Sequence, residues 1–281
     1  MVRILDETIL KRVIQPRNSQ SHKGDYGHLL LIGGTYPYGG AILMTARAAV
    51  FSGAGLVTVA TDRENLSALH THLPEAMGID LADQELLEQQ IEKADVILIG
   101  SGLALGEKEK DCFERVIKYS KKGQILVLDG GALHFLKQID ASQISARIVL
   151  TPHQKEWEVL SDLEIPKQTD TANHKALDVF PLGTILVQKS ERTTIYEHGK
   201  EEFSRLTIGG PYQATGGMGD TLAGMIAGFL GQFSKKRIVE RVEAAVYLHS
   251  AIAAKLSETV YVTLPTAISQ EIPRWMKRYS R

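Results

Sequence analysis

Along most of the chain, short apolar runs alternate with longer segments that mix apolar and polar residues at helical spacing. His28–Ile32 is nearly continuous in apolar residues and ends at Gly33-Gly34, the pattern of a strand buried on both faces that stops in a turn. The loop G-G-T-Y-P-Y-G-G leads into an alanine-rich helix, residues 41–52, closed by Gly53 and Gly55. Residues 56–60 (L-V-T-V-A) then supply a second strand, which completes a βαβ unit and predicts a parallel sheet. A strand at 95–99, a helix at 107–120, a strand at 124–128 and a strand at 148–150 before a helix containing Trp157 and Leu160 continue the alternation. Beyond them, residues 183–189, 192–197 and 201–206 are separated by short polar turns and read as an antiparallel meander at the edge of that sheet. Residues 1–17 place Ile4, Leu5, Ile9 and Leu10 at helical spacing before Pro16, predicting a short amphipathic helix; residues 235–256 and 265–276 predict two more.

In an open α/β sheet the carboxyl ends of the strands form the ligand crevice. Gly33-Gly34, Gly100 to Gly102, Asp129-Gly130-Gly131 and the segment T-P-H-Q-K-E that contains His153 should therefore line one rim. Each glycine turn taken singly is an ordinary βα turn, and a lone histidine is more often structural than functional. Their recurrence at one rim favours a site, and the position of His153 beside Pro152 at a strand end favours a ligand contact.

The segment Q-A-T-G-G-M-G-D-T-L-A-G-M-I-A-G-F-L, residues 213–230, holds the sharpest chemistry. Gly216, Gly217 and Gly219 allow close approach of backbone to a ligand, and the free N–H groups of a following helix attract phosphate. Asp220 would be repelled by that phosphate unless it takes a proton from an attacking hydroxyl. The alternative is that Asp220 only caps the helix N-terminus after a tight glycine turn.

Composition removes whole classes of function. With 43% hydrophobic and 23% charged residues, the 281-residue chain is suited to a large α/β core, and no linker or repeat divides it, so one domain over 1–281 is expected. Lys and Arg number 32 against 33 Asp and Glu, a net charge of −1 that implies no nucleic-acid or membrane partner and points to small molecules. The single cysteine, Cys112, leaves no intrachain disulfide, and Asp6 and Glu7 interrupt the place of a signal-peptide core, so the cytoplasm is the expected location.

The motifs K-G-D-Y-G-H-L-L-L-I-G-G, G-A-G-L-V-T-V-A, T-P-H and A-T-G-G-M-G-D-T-L-A-G-M-I-A-G, in that order from about Gly24 to Leu256, resemble the ADP/ATP-dependent NAD(P)H-hydrate dehydratases. The resemblance implies a ribokinase-like α/β fold, a mostly parallel central sheet flanked by helices, and repair of NADH or NADPH hydrated on the nicotinamide ring. It implies that ADP or ATP drives loss of water with Mg2+ bridging the nucleotide phosphates; no protein ligand is assigned to the metal. Residue by residue, it implies that Asp220 is the acid on the substrate side, that Ala41, Gly102 and His153 contact substrate, and that Gly219 contacts the nucleotide phosphate. The N–H groups around Gly217 and Gly219 would stabilise the transferred group, and Lys189, Ser190, Glu191, Arg192 and Thr193 occupy the adenosine segment. A homo-oligomer is implied as well. Departures fall at the rim: T-P-H-Q-K-E for T-P-H-P-G-E, D-G-G-A-L-H for D-A-D-A-L-N, Q-K-S for L-K-G, and G-G-P-Y-Q before A-T-G-G. A ribokinase-like small-molecule kinase would use the same loop and the same Asp220 but release a stable phosphorylated alcohol. A non-catalytic nucleotide-binding module would bind nucleotide without turnover.

Overall fold

The computed structural model describes residues 1–280. In chain order it runs β1 Val2–Ile4, α1 Thr8–Val13, β2 His28–Ile32, α2 Gly39–Phe51, β3 Leu56–Thr61, α3 Asn65–His72, β4 Met77–Asp80 and α4 Gln84–Lys93. Then follow β5 Val96–Ile99, α5 Glu107–Tyr119, β6 Ile125–Leu128, α6 Gly131–Leu136, β7 Arg147–Leu150, α7 Gln154–Ser161 and α8 Asp170–Ala176. The chain closes with β8 Ile185–Gln188, β9 Thr194–Glu197, β10 Phe203–Arg205, α9 Met218–Gln232, α10 Ile238–Ser257 and α11 Pro265–Tyr279.

All ten strands join one sheet in the order β1-β10-β9-β8-β7-β6-β5-β2-β3-β4. It is parallel from β8 through β4, with β9 antiparallel to both β8 and β10. The expected mostly parallel sheet with an antiparallel edge is thus present. Period-two alternation sorts the strand residues between two apolar layers. Leu29, Leu31, Val96 and Leu98 join α2, α9 and α10 on one face, whereas Leu30, Ile32, Ile97 and Ile99 join α5, α6 and α7 on the other. These eight side chains are no more than 1% exposed, and burying each contributes about 1.5–3 kcal/mol.

Three local expectations are corrected. Residues 2–4 form an edge strand that pairs parallel with β10 instead of a helix turn, so only Thr8–Val13 is helical. Residues 61–94, left without elements by the sequence pattern, hold α3, β4 and α4. The helix expected to follow the glycines and Asp220 of the 213–230 segment begins at Met218 and therefore includes Gly219 and Asp220 in its first turn. Small residues let that helix pack deep: a Cβ on Gly224 would strike the Thr45 carbonyl, and one on Gly228 would come within 2.6 Å of Ser52 Cβ. Helix α9 is consequently clasped by α2, with residues 221–231 buried throughout.

Candidate active site

The first turn of α9 fixes the centre of the rim. Gly217 takes φ 89°, a left-handed conformation that glycine adopts at little cost, and the helix starts immediately after it. The first intrahelical bond of that end is Thr221 N–H to the Gly217 carbonyl at 3.0 Å, so the earlier N–H groups have no helical acceptor and face the crevice. Gly216 is exposed, with open space where a side chain would stand.

Asp220 is the third residue of the helix and not its cap; Gly217 holds the cap position, without a side-chain hydrogen bond. A helix N-terminus alone should favour the ionised carboxylate. Here the opposite shift prevails: burial, then the negative charge of Asp129, push the Asp220 carboxyl up to about 6, against partial relief from the Lys189 ammonium and the Ser101 hydroxyl. At neutral pH such a group is still mainly ionised, but it is a stronger base than an ordinary aspartate.

Asp129, at the end of β6, organises the charges around it. Its Oδ1 accepts from Thr151 Oγ1 at 2.7 Å and from Lys189 Nζ at 2.9 Å, and its Oδ2 lies 3.5 Å from Ser101 Oγ. The side chains of Asp129 and Lys189 are 5% and 18% exposed, so the pair is screened from water. Glu156 approaches the same ammonium at 3.9 Å. Burial works against the Lys189 charge, yet Asp129, Glu156 and Asp220 outweigh it and hold its pKa above the ordinary lysine value. Its Nζ would stand 3.3 Å from a Cβ built on Gly219, which puts the ammonium at the mouth of the α9 turn.

Ala41 and Gly102 meet at the other side of this centre, where a Cβ on Gly102 would lie 2.8 Å from Ala41 Cβ. Thr45 ties them to the helix by donating to the Ala41 carbonyl at 3.1 Å or the Asp220 carbonyl at 3.2 Å. His153 bridges to Lys189 in parallel register and caps α7: its Nδ1 accepts from the N–H groups of Lys155 and Glu156, both at 3.1 Å. The remaining face of the ring is exposed. Ala41, Gly102, His153 and Asp220 therefore stand along one rim, linked through Thr45 and Lys189.

Ser190, Glu191 and Arg192 form the exposed turn between β8 and β9 and line an open pocket of about 520 Å³ with Gln154, Tyr196 and Arg205. Lys189 and Thr193 do not line that pocket: the first is drawn to Asp129, and the second is turned inward at 8% exposure. Behind the turn, Gln188 is fixed by amide contacts with Gln168 at 2.8 Å and Asn173 at 2.9 Å, which accounts for a polar residue at the position of the departure Q-K-S. Lys155, the bulky departure in T-P-H-Q-K-E, pairs with Glu158 and is solvated. At Gly131 a Cβ would strike the Leu103 carbonyl, so this backbone has no room there for the second acid.

Ser101 and Thr151 are polar groups of this cluster that the sequence did not single out, and the pairing of Asp129 with Lys189, each placed at the rim separately, was not foreseen. The strand-end position of Asp129 was the available sign. His249 gave none: it is buried in α10 against the Met218 carbonyl, and burial lowers its pKa to about 4, keeping it neutral beneath the first turn of α9. No group of three His, Cys, Asp or Glu side chains among the described residues could hold a metal ion.

A family model described as NAD(P)H-hydrate dehydratase matches residues 29–274. An ADP-dependent (S)-NAD(P)H-hydrate dehydratase of Streptococcus pneumoniae is 55% identical over 276 residues, covering 98% of this chain and 95% of that protein. Among solved structures, a ribokinase-like superfamily protein of Enterococcus faecalis superposes with a TM-score of 0.94 at 45% identity, over 99% of this chain and 96% of that one. A Bacillus subtilis ADP/ATP-dependent NAD(P)H-hydrate dehydratase co-crystallised with ATP and Mg2+ superposes at 0.86 with 27% identity, covering 98% and 97%.

Proposed function

The chain belongs to the NAD(P)H-hydrate dehydratase family, and from that premise we propose that it restores the (S)-hydrate of NADH or NADPH to NAD(P)H, using ADP and releasing AMP and phosphate. The observation that carries the reading is Asp220, a carboxylate whose pKa burial and Asp129 raise to about 6, set among free helix N–H groups. Hydroxide is a poor leaving group, and phosphorylation converts it into a good one. Asp220 takes the proton of the hydrate's hydroxyl as that oxygen attacks the terminal phosphorus of the nucleotide; AMP departs, and the carbon–oxygen bond then breaks to release phosphate as the neighbouring ring carbon gives up a proton to solvent and the ring double bond re-forms. The N–H groups of Gly217 and Gly219 receive the charge that develops on the transferred group. Ala41, Gly102 and His153 bound the substrate side, and Ser190 to Arg192 border the adenosine side. Lys189 offsets part of the charge of the three carboxylates facing it and sets one ammonium beside the phosphates.

Mg2+ accompanies the nucleotide in this reading. Asp129 and Glu156 are already engaged by Lys189, and the described residues offer no cage of their own, so no step is assigned through the ion. The proposed enzyme is a single domain and a homo-oligomer working in the cytoplasm, where the buried thiol of Cys112, pushed up to about 12 by burial, has no disulfide to form within the chain. The test is to mix the protein with (S)-hydrated NADH, Mg2+ and ADP. Recovery of NADH absorbance with equal amounts of AMP and phosphate is expected, and ATP in place of ADP measures nucleotide preference. Accumulation of a stable phosphorylated alcohol without NADH would turn the reading to a kinase, and binding without turnover to a nucleotide-binding module.

A further inference from the structure

The amino ends of the parallel strands, at the opposite end of the sheet from Asp220, border a cavity of about 1100 Å³. It is bounded by the starts of β5, β6 and β7 and by the C-terminal end of α9 at Leu230, Gly231 and Gln232. Six cations, Arg17, Lys122, Arg147, Lys235, Lys236 and Arg241, line it against two acids, Asp25 and Asp95. None of the six forms an ion pair among the described residues. Asp95 is instead occupied by the His28 N–H at 2.8 Å.

Arg241 is the unusual member. It is 5% exposed, donates one N–H to the Leu230 carbonyl at the end of α9, and has a buried Nε with no partner. Capping a helix C-terminus accounts for the first contact and is within reach of any surface lysine. It does not account for burying a guanidinium with an empty donor and no carboxylate, which is costly unless a counter-charge arrives. Arg17 and Arg147 likewise meet no carboxylate: Arg17 donates to Gln232 at 2.7 Å and to the Gly53 carbonyl and stacks 3.8 Å over the Tyr26 ring, and Arg147 donates to the Gly183 carbonyl at 3.1 Å.

We propose that this cavity is a second small-molecule site that binds a diphosphate group, with Arg241 at its floor and Lys235 and Lys236 at its rim. A monocarboxylate would leave most of the surplus positive charge unmatched, whereas a diphosphate brings several negative charges and acceptors for forked guanidinium donors. The volume is ample for a ligand of nucleotide size. The two sites lie at opposite ends of α9, roughly 22 Å apart along a 15-residue helix.

Hydrogen exchange on the full chain tests this directly, with inorganic pyrophosphate and ADP as parallel probes. Pyrophosphate is expected to slow exchange in residues 122–124 and 230–241, independently of any protection at residues 217–220. Protection of the same amino-end residues by ADP would identify organic diphosphates as ligands; protection by pyrophosphate alone would assign the site to the free anion. Lys235→Glu with Lys236→Glu, both on the accessible rim, should weaken the amino-end effect at least roughly tenfold while leaving residues 217–220 unchanged. Arg241→Met should do the same, and should it fail to fold, the lysine variant still decides. Protection confined to residues 217–220, an unchanged affinity in the lysine variant, or sedimentation showing a second copy closing the cavity would overturn the proposal. None of these outcomes depends on whether the hydrate is the substrate.

Discussion

The two ends of the sheet hold charge against the same apolar core in opposite ways. At the carboxyl end three carboxylates, Asp129, Glu156 and Asp220, surround one lysine, and burial, followed by the negative charge of Asp129, lifts Asp220 to about 6. At the amino end six cations surround two acids, and the cavity there is about twice the volume of the pocket beside the β8–β9 turn. The larger cavity is therefore not where the perturbed carboxylate sits. Pocket size reports room, whereas a carboxylate perturbed by burial and by a named neighbour reports chemistry.

The largest expected effect comes from removing the perturbed carboxylate. Asp220→Asn should lower kcat about 10²–10⁴-fold, the usual range for a general base, with nucleotide binding retained in calorimetric titration. Because Asp220 is not the cap of α9, no cap is lost. Its folded pKa, about 6, stands above the ordinary aspartate value of 3.8, so its contribution to stability is fully present below about 3.8 and lost as pH rises through about 6. The Asn variant should accordingly be at least as stable as the wild type at neutral pH, with the difference vanishing near pH 4 in thermal melts. Near wild-type turnover in the folded variant would remove Asp220 from the mechanism.

Removing the lone cation of the carboxyl end should be next in size. Lys189→Met leaves Asp129 buried without its partner, a loss of about 3 kcal/mol readable in urea unfolding. It should also move the acid limb of kcat/KM upward, since Lys189 is one of the groups that lower the Asp220 pKa. Asp129→Asn should act in the reverse sense. Deleting the repulsive charge while keeping an oxygen for Thr151 should shift that limb below the wild-type position near pH 6. A limb that stays put in both variants would mean that burial alone sets the pKa.

How legible all this was depended on the distance over which each feature is decided. β2, β5 and β6 stood out because strands buried on both faces need unbroken apolar runs, and the glycines after them marked the rim. β1 misled: Ile4, Leu5, Ile9 and Leu10 do recur at helical spacing, but Val2–Ile4 is claimed by β10 from the far end of the chain. β4, M-G-I-D, lacks the β-branched richness that would announce a strand. Asp220 and its glycines were visible as a local motif. Its raised pKa was not, because the Asp129–Lys189 pair spans 60 residues and exists only once β6, β7 and β8 lie side by side.

The smallest expected effect concerns His153, where capping and ligand contact compete as explanations for one side chain. Its Nδ1 holds the first N–H groups of α7, while Nε2 lies 3.5 Å from Glu156 Oε1 on a ring that is still 56% exposed. Asp is a strong N-cap and matches the capping role with a different shape, so His153→Asp should retain the stability that His153→Ala loses, about 1 kcal/mol in urea unfolding. If capping were the whole role, the Asp variant would also keep wild-type kinetics. A substrate contact instead predicts that KM for the hydrate rises in both variants while kcat for bound substrate changes less, because His153 stands beside Lys189 on the substrate side and does not touch Asp220. Unaltered KM in His153→Asp would return His153 to the scaffold and leave the substrate side to Ala41 and Gly102, whose contact with α9 runs through Thr45.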